Sequence, residues 1–260
     1  MLKSLSTAAT GMTAQERQLE VISNNLANAA TTGFKKSRSE FQDLMYQTHT
    51  APGAATSATT QNPTGVQVGT GAKVVATTKE FEQGSPQVTS RDLDFMVAGE
   101  GFFSVQKPNG DVMFTRNGSF RLDNEGRVVT SQGYLLLPEV SVPPGAKTLS
   151  ISPDGQITAQ LGNNEVQNIG QVQLTRFINP SGLDSVGESL YTVSVASGEP
   201  VPGNPSDEGF GSVQQGMLEA SNVSPMEEMT SMIRAQRTYE MNSKVISTSD
   251  QMLQTLSGLR

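Results

Sequence analysis

The chain has 260 residues, a net charge of −7 and an isoelectric point near 4.8. This acidic balance argues against a nucleic-acid-binding protein, which needs a basic face. The chain has no cysteine, which excludes disulfides, thiol nucleophiles and thiolate metal sites. It also lacks an apolar run of the roughly eighteen residues that a membrane helix requires. The length suffices for two domains, or for one large β domain with helical extensions.

The first thirty residues predict one long helix. Apolar and small residues recur from Leu5 at alternating steps of three and four, a repeat of about 3.5 that is typical of a coiled-coil seam. We expect the helix to run from about residue 3 to residue 30 and to stop at Thr31-Thr32-Gly33, where glycine offers a left-handed cap. An apolar stripe this narrow is buried only when it packs against another helix. Its members are Leu5, Ala8, Met12, Gln15, Leu19, Ile22 and Leu26.

The C-terminal residues predict the partner helix. Ser224-Pro225-Met226-Glu227 is a capping box with proline at the first helical position, and Gly258 supplies a stop. One interpretation is an amphipathic helix packed on its own domain. The other, which the pattern favours, is a hairpin of both termini with surplus seam for neighbouring subunits. The predicted seam runs through Met229, Met232, Gln236, Tyr239, Ser243, Ile246, Asp250 and Leu253.

The N-terminus does not have the apolar core of a cleavable signal peptide. A protein of this kind that works outside the cytoplasm would therefore leave by a route that spares its N-terminus.

Two segments between the first helix and the middle of the chain carry little structural signal. Lys35, Lys36 and Arg38 place three positive charges close together without a glycine-rich loop, so we expect a solvated or subunit-contacting face. Residues 48–67 consist largely of Ala, Thr, Ser, Pro and Gly. Such a segment buries too little surface to fold alone, which makes it a linker or an arm ordered by contact.

Residues 68–197 predict an antiparallel β domain, a sandwich or a barrel-like structure, because short β-prone runs alternate with Asn-Gly, Asp-Gly and Pro-rich turns. The bulk of its core should come from Phe95, Phe102, Phe103, Phe114, Phe120, Tyr134 and Phe177. The predicted strands are 73–78, 102–106, 112–115, 127–130, 148–151, 156–160, 172–177 and 190–195.

The predicted fold class is therefore α+β, with long terminal helices paired as a coiled coil and a central antiparallel β-rich domain inserted between them. We expect a terminal helical domain from residues 1–33 and 224–260 and a β domain from residues 68–197. The extended connecting region would comprise residues 34–67 and 198–223.

The sequence offers little for catalysis. His49 is the only histidine and lies where the low-complexity segment begins, so a solvated side chain is the favoured interpretation. The acidic residues Asp92, Asp94, Glu100 and Asp111 could pair for glycoside hydrolysis, but acidic side chains at turns are the ordinary explanation. We predict no enzyme, no catalytic or cofactor-binding residue, no metal site and no cofactor.

Three asparagines, Asn24, Asn25 and Asn28, lie at the end of the first helix, where asparagine is a poor helix former. They either ease the helix toward its cap or make interhelical or subunit hydrogen bonds. Because three of these five positions carry asparagine, we favour the interpretation that they make interhelical or subunit hydrogen bonds.

Three segments of the sequence, taken in order, have a recognisable pattern. They are Val21–Lys35, Gly99–Val105 with Phe114–Phe120, and Leu218–Val223 with Met232–Leu253. Together they resemble the bacterial flagellar rod and hook protein family. The similarity covers essentially the whole chain, and the distal rod type is the most similar, with a proximal rod or hook-type subunit as the alternative.

The resemblance implies a structural subunit that self-assembles into a helical tube and transmits motor torque to the hook. It implies export by the flagellar type III apparatus and a place in the basal body, spanning the periplasm. The implied partners are further copies of the chain, proximal rod proteins, hook protein, rod cap, and the peptidoglycan and outer-membrane ring proteins. Nucleic acid and direct membrane insertion are not expected.

For such an assembly, we expect the segment 48–67 to lie against neighbouring subunits and to stiffen the tube. The predicted assembly residues are Leu5, Met12, Leu19, Ile22, Asn24, Asn25, Leu26, Asn28, Met229, Ile233, Tyr239, Ile246 and Leu253.

Overall fold

A computed structural model describes residues 2–53, 63–162 and 165–258. Over these residues the chain is α+β, and it divides into two compact units whose segments alternate along the sequence. Unit 1 comprises residues 1–27, 37–79 and 224–260, and unit 2 comprises residues 28–36 and 80–223. None of the helices in the described part of the chain combines the length and apolar character needed to cross a membrane.

Unit 1 contains both long helices, which pack together. The first ends three residues earlier than predicted, and Gly33 adopts the expected left-handed conformation with φ of 69°. The second begins at Pro225, as the capping box predicts, and continues to Gly258. The elements are α1 (Leu2–Ala27), β1 (Ser37–Asp43), β2 (Tyr46–Thr50), β3 (Val66–Gly69), β4 (Ala72–Lys79) and α2 (Pro225–Gly258).

The strands of unit 1 form two antiparallel pairs, β1 with β4 and β2 with β3. The second pair lies at the two ends of the predicted low-complexity arm, and His49 is exposed within β2. The middle of that arm, residues 54–62, falls outside the described residues. The sequence pattern did not predict β1, β2 or β3, whose side chains are mostly exposed and polar.

Unit 2 is built from short strands and one 3-10 helix (Pro180–Gly182). The strands are β5 (Pro86–Val88), β6 (Phe95–Ala98), β7 (Phe102–Gln106), β8 (Val112–Thr115), β9 (Phe120–Leu122), β10 (Val128–Thr130), β11 (Leu135–Leu137), β12 (Ala146–Ile151), β13 (Gln156–Leu161), β14 (Val166–Gln171), β15 (Leu174–Arg176), β16 (Asp184–Gly187), β17 (Leu190–Thr192), β18 (Val201–Gly203), β19 (Ser212–Gln215) and β20 (Met217–Glu219).

The strands of unit 2 pair antiparallel, as predicted. The largest sheet follows the order β16-β17-β8-β7-β11-β10-β9, and β15 joins it by pairing with β7 and β18. A smaller sheet follows the order β12-β13-β14, and two further pairs join β6 to β19 and β5 to β20. Every predicted strand region overlaps an observed strand, with ends that differ by up to three residues.

Aromatic side chains form the centre of unit 2. Phe103 meets Phe120 edge-on with ring centroids 5.3 Å apart, and Phe114 meets Phe177 at 4.9 Å. Such pairs add about 0.5–1.5 kcal/mol beyond area burial. Six of the seven aromatic residues predicted for the core are buried, and the seventh, Tyr134, packs against the core while partly exposed.

The β structure of unit 2 extends beyond the predicted range of 68–197. Strands β18, β19 and β20 lie at residues 201–219, and Val213 of β19 belongs to the same buried cluster as Phe95 and Phe103. Because residues 198–211 are rich in proline and glycine, the sequence pattern did not predict that the chain re-enters the core after them.

We therefore expect Val213→Ala to lower the free energy of unfolding of the full chain by about 2 kcal/mol, because two buried methyl groups are lost. Val166→Ala is the matched control, since Val166 is an exposed strand residue, and should change stability by less than about 0.5 kcal/mol. Urea unfolding followed by near-ultraviolet circular dichroism measures both. Equal effects would show that residues 212–215 do not belong to the core.

Candidate assembly surfaces

The two helices of unit 1 run antiparallel in a fixed register. Asn25 Nδ2 of α1 lies 3.4 Å from Glu228 Oε2 of α2. Gly11 of α1 and Asn242 of α2 form a second contact, fourteen residues from the first along each helix. A Cβ atom added to Gly11 would lie 3.0 Å from Asn242 Nδ2. The two contacts place the start of each helix beside the end of the other. The close approach at Gly11 leaves no room for a larger side chain unless Asn242 moves.

Small and polar residues line the buried stripe of α2. Ala235 and Ser249 are buried, and the other members are half-buried at helical spacing. Small side chains let two helix backbones approach closely, and larger apolar side chains lie in the same stripe. The stripe comprises Glu228, Ser231, Met232, Ala235, Thr238, Asn242, Ile246, Ser249 and Leu253.

The members of the seam predicted for α2 divide into two groups. Met232, Ile246 and Leu253 are half-buried. The remaining predicted members, Met229, Gln236, Tyr239, Ser243 and Asp250, are exposed. The half-buried members lie in the same buried stripe as Ala235, and the exposed members remain the predicted surplus seam for neighbouring subunits.

Helix α1 is covered more completely than α2 because it packs on α2 and also on β1 and β4. Among its predicted assembly residues, Ile22 and Asn25 are buried and Asn24 is exposed. The half-buried ones are Leu5, Met12, Leu19 and Leu26, and Asn28, just after the helix, is also half-buried.

Asn25 connects three segments of unit 1. Its Nδ2 donates to the Ser37 carbonyl at 2.8 Å, and its Oδ1 accepts from the Ser37 amide at 2.9 Å. The same Nδ2 faces Glu228. One buried amide group thus holds the end of α1, the start of β1 and the first turn of α2. Asn25 therefore makes its contacts within the chain. Of the three asparagines predicted as assembly residues, Asn24 is the exposed one.

The side of α2 away from its buried stripe carries an exposed apolar face. Met226, Met229 and Ile233 are 76%, 52% and 51% exposed. Their spacing of three and four residues places them on one side of the helix. We call these three residues the α2 outer face. A contiguous apolar face of this kind is typical of an interaction surface.

A buried ion cluster in unit 2 is the feature that the sequence did not predict. Lys35 and Glu219 have no exposed side-chain surface, and Lys35 Nζ donates to Glu219 Oε1 at 2.5 Å. Lys35 Nζ also donates to the Glu82 carbonyl at 2.6 Å, and the Gly84 amide donates to Glu219 Oε1 at 2.9 Å. Lys35 was expected on a solvated or subunit-contacting face. Instead it is buried within unit 2, because the Glu219 carboxylate and the Glu82 carbonyl surround its ammonium group.

Arg116 completes the cluster. Its Nη1 lies 3.6 Å from Glu219 Oε2, and its guanidinium stacks over the Phe102 ring at 5.1 Å. Burial lowers the pKa values of Lys35 and Arg116, and the nearby Glu219 carboxylate opposes both shifts. Burial also raises the pKa of Tyr191. One carboxylate therefore balances two buried cations.

Further hydrogen bonds beside the cluster join residues 33–36 to residues 219–222. The Gly33 amide donates to the Glu219 carbonyl at 2.8 Å, and the Lys36 amide donates to Asn222 Oδ1 at 2.7 Å. Asn222 Nδ2 donates in turn to the Glu80 carbonyl at 2.8 Å. The segments 31–36 and 218–223, which carry much of the family resemblance, are thus direct neighbours.

The acidic residues considered for hydrolysis have ordinary structural partners. Asp94 is buried beside Arg91 at 3.6 Å, and Glu100 lies 3.5 Å from Arg176. Asp111 caps its own turn through Asn109. In the parts of the chain that the structure describes, no group of three or more His, Cys, Asp and Glu residues is placed to hold a metal ion.

Comparisons with known proteins agree with this architecture. Residues 5–35 match the description "Flagella basal body rod protein", and residues 214–259 match "Flagellar basal body rod FlgEFG protein C-terminal". Residues 96–159 match "Flagellar hook protein FlgE/F/G D1 domain".

Full-length relatives decide the assignment. The chain is 46% identical to the flagellar basal-body rod protein FlgG of Buchnera aphidicola subsp. Schizaphis graminum, with all of both chains covered. It is 45% identical to FlgG of Caulobacter vibrioides, again over the whole of both chains. The chain belongs to the flagellar basal-body rod protein FlgG family. FlgG of Bacillus subtilis is 39% identical over the whole of both chains.

Asn25→Ala should destabilise the chain by about 1–3 kcal/mol, because it leaves the half-buried Ser37 amide and carbonyl without their partner. The neighbouring Asn24→Ala, at an exposed position, should stay within about 0.5 kcal/mol of the unsubstituted chain. Thermal unfolding followed at 222 nm, the α-helical band, compares the two variants. Equal stability would show that the Asn25 amide does not organise unit 1.

Glu219→Gln should lower the free energy of unfolding by about 3–5 kcal/mol, because Lys35 and Arg116 would remain buried without an anion. Lys35→Met should cost less, since Glu219 keeps Arg116. The control is Glu80→Gln, which breaks the partly exposed pair with Lys36 and should cost at most about 1 kcal/mol. Urea titrations give all three values. A Glu219→Gln variant as stable as Glu80→Gln would contradict the proposed role of the carboxylate.

Proposed function

We propose that the chain is a structural subunit of the flagellar basal-body distal rod, where copies assemble into a helical tube that transmits motor torque to the hook. The observation that carries the proposal is the identity of 45–46% to FlgG proteins over the whole length of both chains. The role is structural and not enzymatic. Its setting is the axial structure of the basal body, together with other rod and hook components.

The α1–α2 unit supports this proposal physically. The buried stripe of α2 uses small residues, which leaves Met226, Met229 and Ile233 on the outside. A single copy thus holds its helices together while presenting apolar surface to others. A contact between two different surfaces of identical subunits repeats without closing and generates an open helical assembly. In that assembly the helices of neighbouring copies would form the coiled-coil packing that the 3.5-residue repeat predicts.

The finer assignments belong to the same proposal. The contact residues would be those predicted on both helices, with the exposed Asn24, Met229, Ile233 and Tyr239 accessible to neighbours at once. The arm between β2 and β3 would lie on neighbouring subunits and stiffen the tube. The domain limits predicted from the sequence are 1–33 with 224–260 for the tube, 68–197 for the β domain, and 34–67 and 198–223 as connections. We propose to extend the β domain to residue 219, because Val213 of β19 lies in its core.

The proposed partners follow from the place of a distal rod. They are proximal rod proteins below, hook protein and rod cap above, and the ring proteins of the peptidoglycan and outer membrane around it. The type III apparatus would export the chain, and the assembled rod would span the periplasm.

Replacing the apolar side chain at the centre of the α2 outer face tests the proposal. Ile233→Lys should prevent incorporation into purified basal bodies and abolish motility, because it places a charge in an apolar contact. The stability of the isolated chain should change by less than about 0.5 kcal/mol, since the residue is half exposed.

Thr248→Lys, at an exposed position on the same helix outside the predicted seam, is the matched control and should be incorporated normally. Immunoblots of purified basal bodies read out both variants. Absence of the unsubstituted chain from basal bodies would overturn the proposed function. Normal incorporation of Ile233→Lys would overturn the role of the α2 outer face.

A further inference from the structure

An open cleft between α1 and β4 in unit 1 has room for side chains from outside the unit. Its volume is about 440 Å³. The helix contributes Ala9, Thr10, Thr13 and Ala14, whose short side chains leave the space unfilled, and Leu44, Ala72 and Val74 give it an apolar floor. We call it the α1–β4 cleft.

The rim of the α1–β4 cleft is positively charged. Arg17 and Lys73 line it, and none of its lining residues is acidic. Arg17 already pairs with Glu20 at 2.8 Å. Lys73 lies opposite the neutral Gln42 in the β1–β4 pair, and no ion pair of Lys73 occurs among the described residues. The Lys73 ammonium is therefore available to an anionic partner.

The α2 outer face has the complementary shape and charge. Its three side chains are long and apolar, and they project from two turns of helix beside the acidic Glu227 of the first turn. From Met226 to Ile233 the helix rises about 10 Å, and from Ala9 to Arg17 it rises about 12 Å. The projecting face and the cleft thus have similar lengths, and Glu227 at the N-terminal end of the face is opposite in charge to Lys73 at the rim of the cleft.

We propose that the α2 outer face of one copy inserts into the α1–β4 cleft of a neighbouring copy, with Glu227 beside the neighbour's Lys73 position. This inference rests on the proposed function, because it names the two surfaces that join subunits of the rod. The contact is heterologous: each copy offers a projecting face at one place and a cleft at another, so the contact repeats without closing. Methionine suits such a contact because its flexible side chain adapts to the space available.

Disulfide trapping tests the contact directly, because the chain has no cysteine of its own. A chain carrying both Thr13→Cys and Ile233→Cys should form a ladder of covalent oligomers in purified basal bodies after mild oxidation. A disulfide requires Cα atoms within about 7 Å, so a ladder demands direct contact between the cleft and the outer face. Thr13→Cys or Ile233→Cys alone should give no ladder.

The matched control combines Thr13→Cys with Ser243→Cys, which moves the thiol ten residues, about 15 Å, along α2. It should give no ladder. Dimers from Ile233→Cys alone would indicate that two outer faces meet each other, which would overturn the inference.

A charge swap tests the flanking contact independently. In the double-cysteine chain, Lys73→Glu or Glu227→Lys alone should slow formation of the ladder by about fivefold, the effect of losing one exposed ion pair. Combining the two reversals should restore the original rate. Two slow single variants without restoration would contradict the pairing of Glu227 with Lys73.

Failure of this inference and failure of the proposed function give different results. Basal bodies that contain the double-cysteine chain without a ladder overturn the docking contact and leave the rod assignment standing. Basal bodies without the unsubstituted chain overturn the rod assignment, and the docking contact with it.

Discussion

Unit 2 depends on one buried carboxylate. Glu219 lies between Lys35 and Arg116 with no exposed side-chain surface, and it joins residues that are 184 positions apart in the sequence. Removing such charges from water costs several kcal/mol each, so the cluster is stable only when all its members are present. The consequence is specificity: residues 33–36 and 219–222 have to meet in one register before unit 2 is complete.

Unit 1 is held together by different contacts, which lie in residues 1–27, 37–79 and 224–260. Asn25 fixes the end of α1, and the small residues of α2 bring the helices close together. Because the small residues occupy the inner stripe, Met226, Met229 and Ile233 are left outside. A subunit that buried these residues itself would be more stable alone but would have less surface for neighbours. Internal packing and capacity for assembly are therefore separated on two sides of one helix.

The sequence predicted the features that depend on local pattern. Both helices, the cap at Gly33, the aromatic core and the strands next to Asn-Gly or Asp-Gly turns were found because spacing and turn chemistry specify them. Strands β18 to β20 were missed because proline and glycine dominate their surroundings. The burial of Lys35 was missed because its partner is remote in sequence. The seam predicted for α2 includes Met232, Ile246 and Leu253 of the buried stripe, but it leaves out the small Ala235 and Ser249, because hydrophobicity alone does not mark small residues as helix contacts.

Methionine oxidation measures most directly whether the α2 outer face is an assembly surface. The dilute chain and purified basal bodies would be treated with hydrogen peroxide, and each methionine followed by mass spectrometry. Met226 and Met229 should oxidise rapidly in the dilute chain and slowly in basal bodies, because neighbouring copies cover them. The buried Met96 and Met113 should be slow in both states and serve as internal references. Equally rapid oxidation of Met226 and Met229 in both states would contradict the account.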